Sequence, residues 1–207
     1  MDFRQGLPLD KPQRDKTETR LIWKGLAMKG VVFVELLRMA EEAFGEDVVD
    51  DVLDKADLDN DGAFTAVGSY HCSDLVKIVT AFSDHSGLSP EILQKKFGHW
   101  MLEHFALHYP EVFKTKDSAF ALLESVEREI HVEVRKLYPD AELPRFDTTR
   151  AAPNELNMTY DSPRPLAAFC HGMIEACLLH FNETGEIASA PHPSNDHATD
   201  FKITLTP

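Results

Sequence analysis

Tyr160-Asp161-Ser162-Pro163-Arg164-Pro165 is the stretch on which the reading of this chain turns. Prolines at 163 and 165 disfavour helical geometry at Ser162 and Arg164, so the segment is expected to be held extended. In an extended chain, positions 160, 162 and 164 project to one side. That side offers a phenol, a hydroxyl and a guanidinium, all hydrogen-bond donors, with the arginine able to grip a carboxylate through two parallel bonds. The set suits a ligand that carries carboxylates. A solvated turn with one structural salt bridge would use the same residues, so the segment alone leaves both readings open.

Some thirty residues upstream, the spacing predicts a helix from about Asp117 to Leu137, with Leu123, Val126, Ile130, Val134 and Leu137 recurring at threes and fours. His131 falls beside Ile130 at the edge of that apolar stripe, on one line with Phe120 and Tyr138. Glu127 and Arg135 stand four residues away on either side, which is enough for an ordinary surface network.

Working outward, Val31–Gly45 predicts a largely buried helix stopped by Gly45, and Asp47–Ala56 a shorter one. His71–Phe82 follows, then a helix from the Ser89-Pro90 cap to about Leu107, ended at Tyr109-Pro110. Beyond the prolines at 139 and 144 come β-prone pieces at 145–148 and 156–159, a last helix expected from about Pro165 to Phe181, and strands expected at 185–189 and 200–206. Helices come first and strands gather late, so the expected class is α+β.

The 207 residues, 43% hydrophobic and 27% charged, suffice for one substantial core and argue against disorder. Asp and Glu number 35 against 21 Lys and Arg, and a net charge of −14 repels polyanions, so no nucleic-acid role is expected. The longest uninterrupted apolar runs, Ala119–Leu123 and Leu166–Cys170, fall far short of the roughly twenty residues of a membrane span. No apolar centre of a signal peptide marks the start, so a soluble protein of the cytoplasm is expected. Residues 1–27 carry six basic and four acidic side chains with little apolar periodicity, and are read as a flexible extension ahead of a domain at 28–207. Cys72, Cys170 and Cys177 form no CxxC pair and are read as reduced core thiols.

Other motifs carry less. Asp57-Leu-Asp59-Asn-Asp61-Gly62 has the opening of a calcium loop, but the twelfth position is Gly68 where a bidentate Glu is needed. His104 and His108 are spaced to chelate zinc yet lack a third ligand, and His192, His197 and Asp200 are a looser set in a proline-rich tail. GxSxG, P-loop and dinucleotide glycine patterns are absent, so no enzyme is expected. A calcium-binding or protein-binding adaptor built on the acidic surface is the alternative from another class.

Taken together the residues resemble the heme-nitric-oxide/oxygen-binding (H-NOX) family, bacterial relatives of the haem domain of soluble guanylate cyclase. The pieces run in order from Met28 to Pro207: Met28-Lys29-Gly30, Phe44-Gly45, Phe97-Gly98, His131 with Val134 and Tyr138-Pro139, Pro144-Arg145-Phe146, and Tyr-x-Ser-x-Arg at 160, 162 and 164. The resemblance implies an H-NOX fold, with a mostly helical N-terminal distal part and a C-terminal proximal part whose antiparallel sheet and helices enclose haem. It implies haem b, since no CxxCH attachment site is present, with His131 as the axial ligand of the iron. Tyr160, Ser162 and Arg164 would hold the propionates. Pro144 would press on the porphyrin, and Val32, Leu36, Met101, Phe105 and Phe169 would line the pocket.

Members that hold oxygen use a distal tyrosine, and that position here is Phe169. Bound oxygen gains most from a hydrogen bond, whereas NO binds ferrous iron strongly without one. The resemblance therefore implies a nitric oxide sensor, with carbon monoxide as a further ligand. The implied mechanism is loss of the iron–His131 bond when NO binds, which frees the helix of His131 to shift. The receiver would be a separate signalling protein, a histidine kinase or a diguanylate cyclase or phosphodiesterase. The alternative on the same scaffold is an oxygen-binding or redox-sensing haem protein.

Overall fold

The computed structural model describes residues 26–206, so residues 1–25 of the expected extension lie outside the described part. A short strand β1 (Ala27–Lys29) pairs antiparallel with β2 (Ser69–His71), a two-stranded ribbon the sequence pattern does not predict. Between them lie α1 (Gly30–Phe44) and α2 (Glu46–Lys55), separated by Gly45, whose φ of 88° lies where a side chain would be strained. α3 (Cys72–Ser86) ends on Gly87 in the left-handed conformation. α4 (Pro90–His108) opens as its sequence predicts: the Ser89 hydroxyl accepts from the Ile92 amide at 3.4 Å and Pro90 takes the first turn. Tyr109-Pro110 does end α4, but Pro110 also starts an unpredicted turn of helix, α5 (Pro110–Lys114).

The helix expected over 117–137 is present with an interruption. α6 (Ala119–Ser125) passes into a π turn at Val126–Ile130 and then into α7 (His131–Leu137). The amide of His131 donates to the carbonyl of Val126, five residues back. The extra residue in this turn shifts everything after it, so the expected alignment of His131 with Phe120 is lost.

β3 (Arg145–Ala152) and β4 (Glu155–Asp161) form a hairpin, α8 (Ala167–His180) follows, and β5 (Gly185–Pro191) and β6 (Ala198–Leu205) complete an antiparallel sheet in the order β3-β4-β6-β5. Alternation along β4 buries Leu156, Met158 and Tyr160 on one face, which is what carries the Tyr160 phenol inward. The molecule is thus α+β.

Two apolar cores result. The first, from α1 to α4, contains Phe33, Leu36, Ile78, Phe97 and Met101, with Val32 and Phe169 packed against it. The second, between the sheet, α6 and α8, contains Phe120, Leu156, Tyr160, Ile174 and Phe201. Phe105 packs against both and marks the seam. α4 and α8 cross at that seam with their backbones in contact, since a Cβ on Gly98 would stand 2.7 Å from the amide nitrogen of Met173. The three cysteines are buried and free, and burial pushes their thiols up to about 11 for Cys72 and about 12 for Cys170 and Cys177.

Candidate functional site

His131 begins α7, directly after the π turn, and its side chain is buried. Its Nδ1 lies 3.0 Å from the Glu127 carboxylate, which also accepts from the Phe146 amide at 3.3 Å and from Arg135 at 3.2 Å. Burial lowers the pKa of the imidazole below its ordinary value, against the opposing pull of Glu127. For Glu127, burial is the largest influence and pushes upward, but the bonds from His131, Arg135 and Phe146 outweigh it and leave its carboxyl below the usual range. The pair is therefore a neutral imidazole donating Nδ1–H to an ionised carboxylate. Nε2 is left as the unprotonated nitrogen, the form a metal ligand requires. The ring of His131 faces Phe146 at 5.6 Å, and Phe146 faces Tyr160 at the same centroid distance.

The stretch from Tyr160 departs from its expected extended course. The chain is extended through Asp161 and bends over Pro163–Pro165, the Ser162 hydroxyl accepting from the Arg164 amide at 3.2 Å. A Ser-x-Arg turn of this kind competes with the extended form that the prolines favour. Tyr160, Ser162 and Arg164 are nonetheless all buried, at 4%, 4% and 6% exposure, which removes the solvated-turn reading. Burial raises the Tyr160 phenol above its ordinary pKa, Ser162 and Arg164 acting in the opposite sense, so it remains a donor. One terminal nitrogen of Arg164 donates to the Ala27 carbonyl and to the Glu142 carboxylate, each at 2.8 Å. Its Nε is buried and has no partner among the described residues.

Leu36 and Met101 are buried in the first core, Val32 and Phe169 border it, and Phe105 sits at the seam. Phe169 packs on Phe97 with ring centroids 5.0 Å apart. Pro144 is half-buried in the loop before β3. A surface depression of about 640 Å³ lies by Glu127, where Arg135, Arg145, Asp147 and Asp161 surround the ring of Phe146. Among the described residues no three His, Cys, Asp or Glu side chains are grouped so as to hold a metal ion.

A family model described as haem-NO-binding matches residues 29–189. The chain belongs to the haem-NO-binding family. Its fold is shared by the H-NOX protein of K. algicida in the Fe(II) unliganded state, 31% identical, with a TM-score of 0.81 over 87% of this chain and 97% of that one. The S. oneidensis H-NOX protein in its Fe(II)NO state is 25% identical with a TM-score of 0.78, over 87% of this chain and 100% of that one. The Shewanella woodyi H-NOX bound to IWP-051 in its Fe(II)CO state is 34% identical with a TM-score of 0.75, over 87% and 95%. No curated protein matches the chain.

Haem-NO-binding domains bind haem, an apolar disc with a carboxylate edge and a metal that takes a nitrogen ligand. This chain's residues fit that group on three counts. The seam at Phe105 is apolar on both sides. Arg164 already holds one carboxylate and keeps a buried Nε without a partner, the donor a second carboxylate would take. His131 keeps its Nε2 for a metal because Glu127 occupies Nδ1.

Three acidic side chains are more involved than the sequence suggests. Glu127 reads as one half of a surface network and is instead the partner of a buried imidazole. Glu142 has no sequence signal as the partner of Arg164. Glu35 is 3% exposed and bonds Trp100 Nε1 at 3.1 Å, Arg38 at 2.9 Å and His104 Nδ1 at 3.1 Å. A lone acid inside the apolar run Val31–Leu37 was its signal. The His104 and His108 pair thereby has a structural role, His104 answering a buried carboxylate.

Proposed function

We propose that this protein is a haem-based nitric oxide sensor, with residues 28–207 as the sensing domain. In this reading it acts in the cytoplasm on a separate partner, a histidine kinase or a diguanylate cyclase or phosphodiesterase, and has no catalytic role of its own. The observation that carries the reading is His131: buried beside Phe146, with Nδ1 committed to Glu127 and Nε2 free to bind a metal. Among the described residues no helix is long and apolar enough to cross a membrane.

Haem b, when bound, would supply a ferrous iron able to bind a diatomic gas, and His131 would hold that iron. Arg164, Tyr160 and Ser162 bind and orient its carboxylate edge, their burial making each hydrogen bond stronger than it would be in water. Leu36, Met101 and Phe169 exclude water and supply no hydrogen-bond donor, which favours NO and CO over oxygen. His131 sits at the junction of the π turn and α7, so a displacement of its side chain acts on the start of that helix. The far end of α7 is tied to β1, where Lys29 bonds Asp140 at 2.8 Å and lies 5.4 Å from the Tyr138 ring.

The test is a set of absorption spectra of the ferrous protein alone, with NO, with CO and in air, repeated for His131→Ala. Haem absorption, responses to NO and CO, and no persistent change in air are expected. A normal five-coordinate ferrous spectrum in His131→Ala without added imidazole would sink the ligand assignment. A persistent oxygen complex in the parent protein would favour the oxygen-binding reading instead.

A further inference from the structure

We infer that Glu127 is a positioning residue for His131, fixing which imidazole nitrogen carries the proton and setting how strongly the other binds iron. The inference rests on the reading of His131 as the axial ligand. It stands on three bonds that converge on one carboxylate. One oxygen of Glu127 takes Nδ1–H of His131 at 3.0 Å and the amide of Phe146 at 3.3 Å, and the other takes Arg135 at 3.2 Å. The Phe146 amide belongs to β3, so the sheet holds the carboxylate in place from outside the helix.

The backbone explains why the pair can form. Glu127 and His131 stand four apart, a spacing that brings side chains together on one helix face, and the π turn of Val126–Ile130 lies between them. An anionic acceptor on Nδ1–H makes Nε2 a stronger donor to a metal than a carbonyl or water would, because negative charge is pushed into the ring. Arg135 draws on the same carboxylate from the opposite side and tempers the effect.

Three measurements test this on the full chain. Nitrogen-15 NMR of the imidazoles in the haem-free protein is expected to place the His131 proton on Nδ1, to keep it there in Glu127→Gln, whose amide oxygen still accepts, and to lose that preference in Glu127→Ala. In the ferrous haem-loaded protein, the iron–histidine stretching frequency is expected to fall from the parent to Glu127→Gln and further to Glu127→Ala. It should rise in Arg135→Ala, a change of opposite sign that a merely structural role would not produce. Retention of haem is expected to weaken about 10–100-fold in Glu127→Ala. If Glu127→Ala fails to fold, the Gln and Arg135 variants carry the test.

A parent-like frequency in both Glu127→Gln and Arg135→Ala would overturn the inference, as would a parent His131 protonated on Nε2. Failure of the ligand reading looks different. It would appear as a parent-like ferrous spectrum in His131→Ala, whatever the Glu127 variants do.

Discussion

Gly172→Ala sets two effects of opposite sign against each other. In an isolated helix the change would help by about 1 kcal/mol, because alanine is the better helix former. In α8 the new Cβ would stand 2.7 Å from both the carbonyl carbon and the Cα of Lys95 on α4, and nearer still to its carbonyl oxygen. Carbon atoms pack at about 3.5–4.0 Å, so the helix axes must part by roughly 1 Å. Neither side can yield by rotating a side chain, because the atoms met are backbone. Overpacking of this kind costs about 1–3 kcal/mol, and a backbone clash belongs at the upper end. Parting the helices also strains the bonds of Glu175 to Lys95 at 2.8 Å and to His99 at 3.0 Å, which add little because their side chains are about a third exposed.

The net expectation is destabilisation by about 2 kcal/mol, or a fall in Tm of about 4–8 °C for a domain of this size. Urea and thermal unfolding followed by circular dichroism measure it. Gly98→Ala is expected to behave alike, and the double variant to cost less than the sum, since one separation accommodates both methyl groups. A Gly172→Ala protein as stable as the parent, or more so, would refute the backbone contact, for the helix-propensity term would then have won.

Phe169→Tyr places a hydroxyl in the apolar set of Phe97, Leu36 and Met101, and the ferrous protein is expected to acquire a persistent oxygen-dependent spectral change in air that the parent lacks; an unchanged spectrum would remove Phe169 from the gas-facing wall. Stability is expected to fall on acidification below about pH 6.5, near the ordinary pKa of histidine. His104 and His171 both have pKa values lowered, chiefly by burial, so the unfolded chain binds protons first; their contribution is complete above that pH and is lost as pH falls through the folded values. The urea midpoint at pH 5.5 should therefore drop relative to pH 7.5 by more in the parent than in the double variant His104→Gln/His171→Gln, and equal drops would refute the assignment.

Much of the helical framework is legible because its ends carry local chemistry. Ser89 and Pro90 start α4 and Gly45 stops α1, each within a residue or so of the expected position, whereas α3 runs four residues past the expected Phe82 before Gly87 stops it. The ribbon of β1 and β2 is not legible: each strand has three residues, and each finds its partner about forty positions away, beyond the reach of any periodicity. The donor set at 160, 162 and 164 was visible as letters, and its burial follows from the inward face of β4. Its geometry was not visible, since the bend at Arg164 depends on a hydroxyl–amide bond and on Glu142 and Ala27, which come from elsewhere in the chain.

The π turn was the least legible feature, and it bears most directly on the site. Leu123, Val126, Ile130 and Val134 fit an unbroken α-helix, and no residue type announces an extra residue in a turn. In that unbroken helix, His131 would lie on the line of Phe120, whose ring is 1% exposed within the core against α8 and the sheet. One extra residue rotates everything that follows by about 100°. Phe120 and Leu123 can then fill the second core while His131 turns toward Phe146 and stands over Glu127. A helix with regular hydrogen bonds throughout would have to give up either the packing or the histidine. The irregular turn lets one helical segment serve the core before it and the site after it.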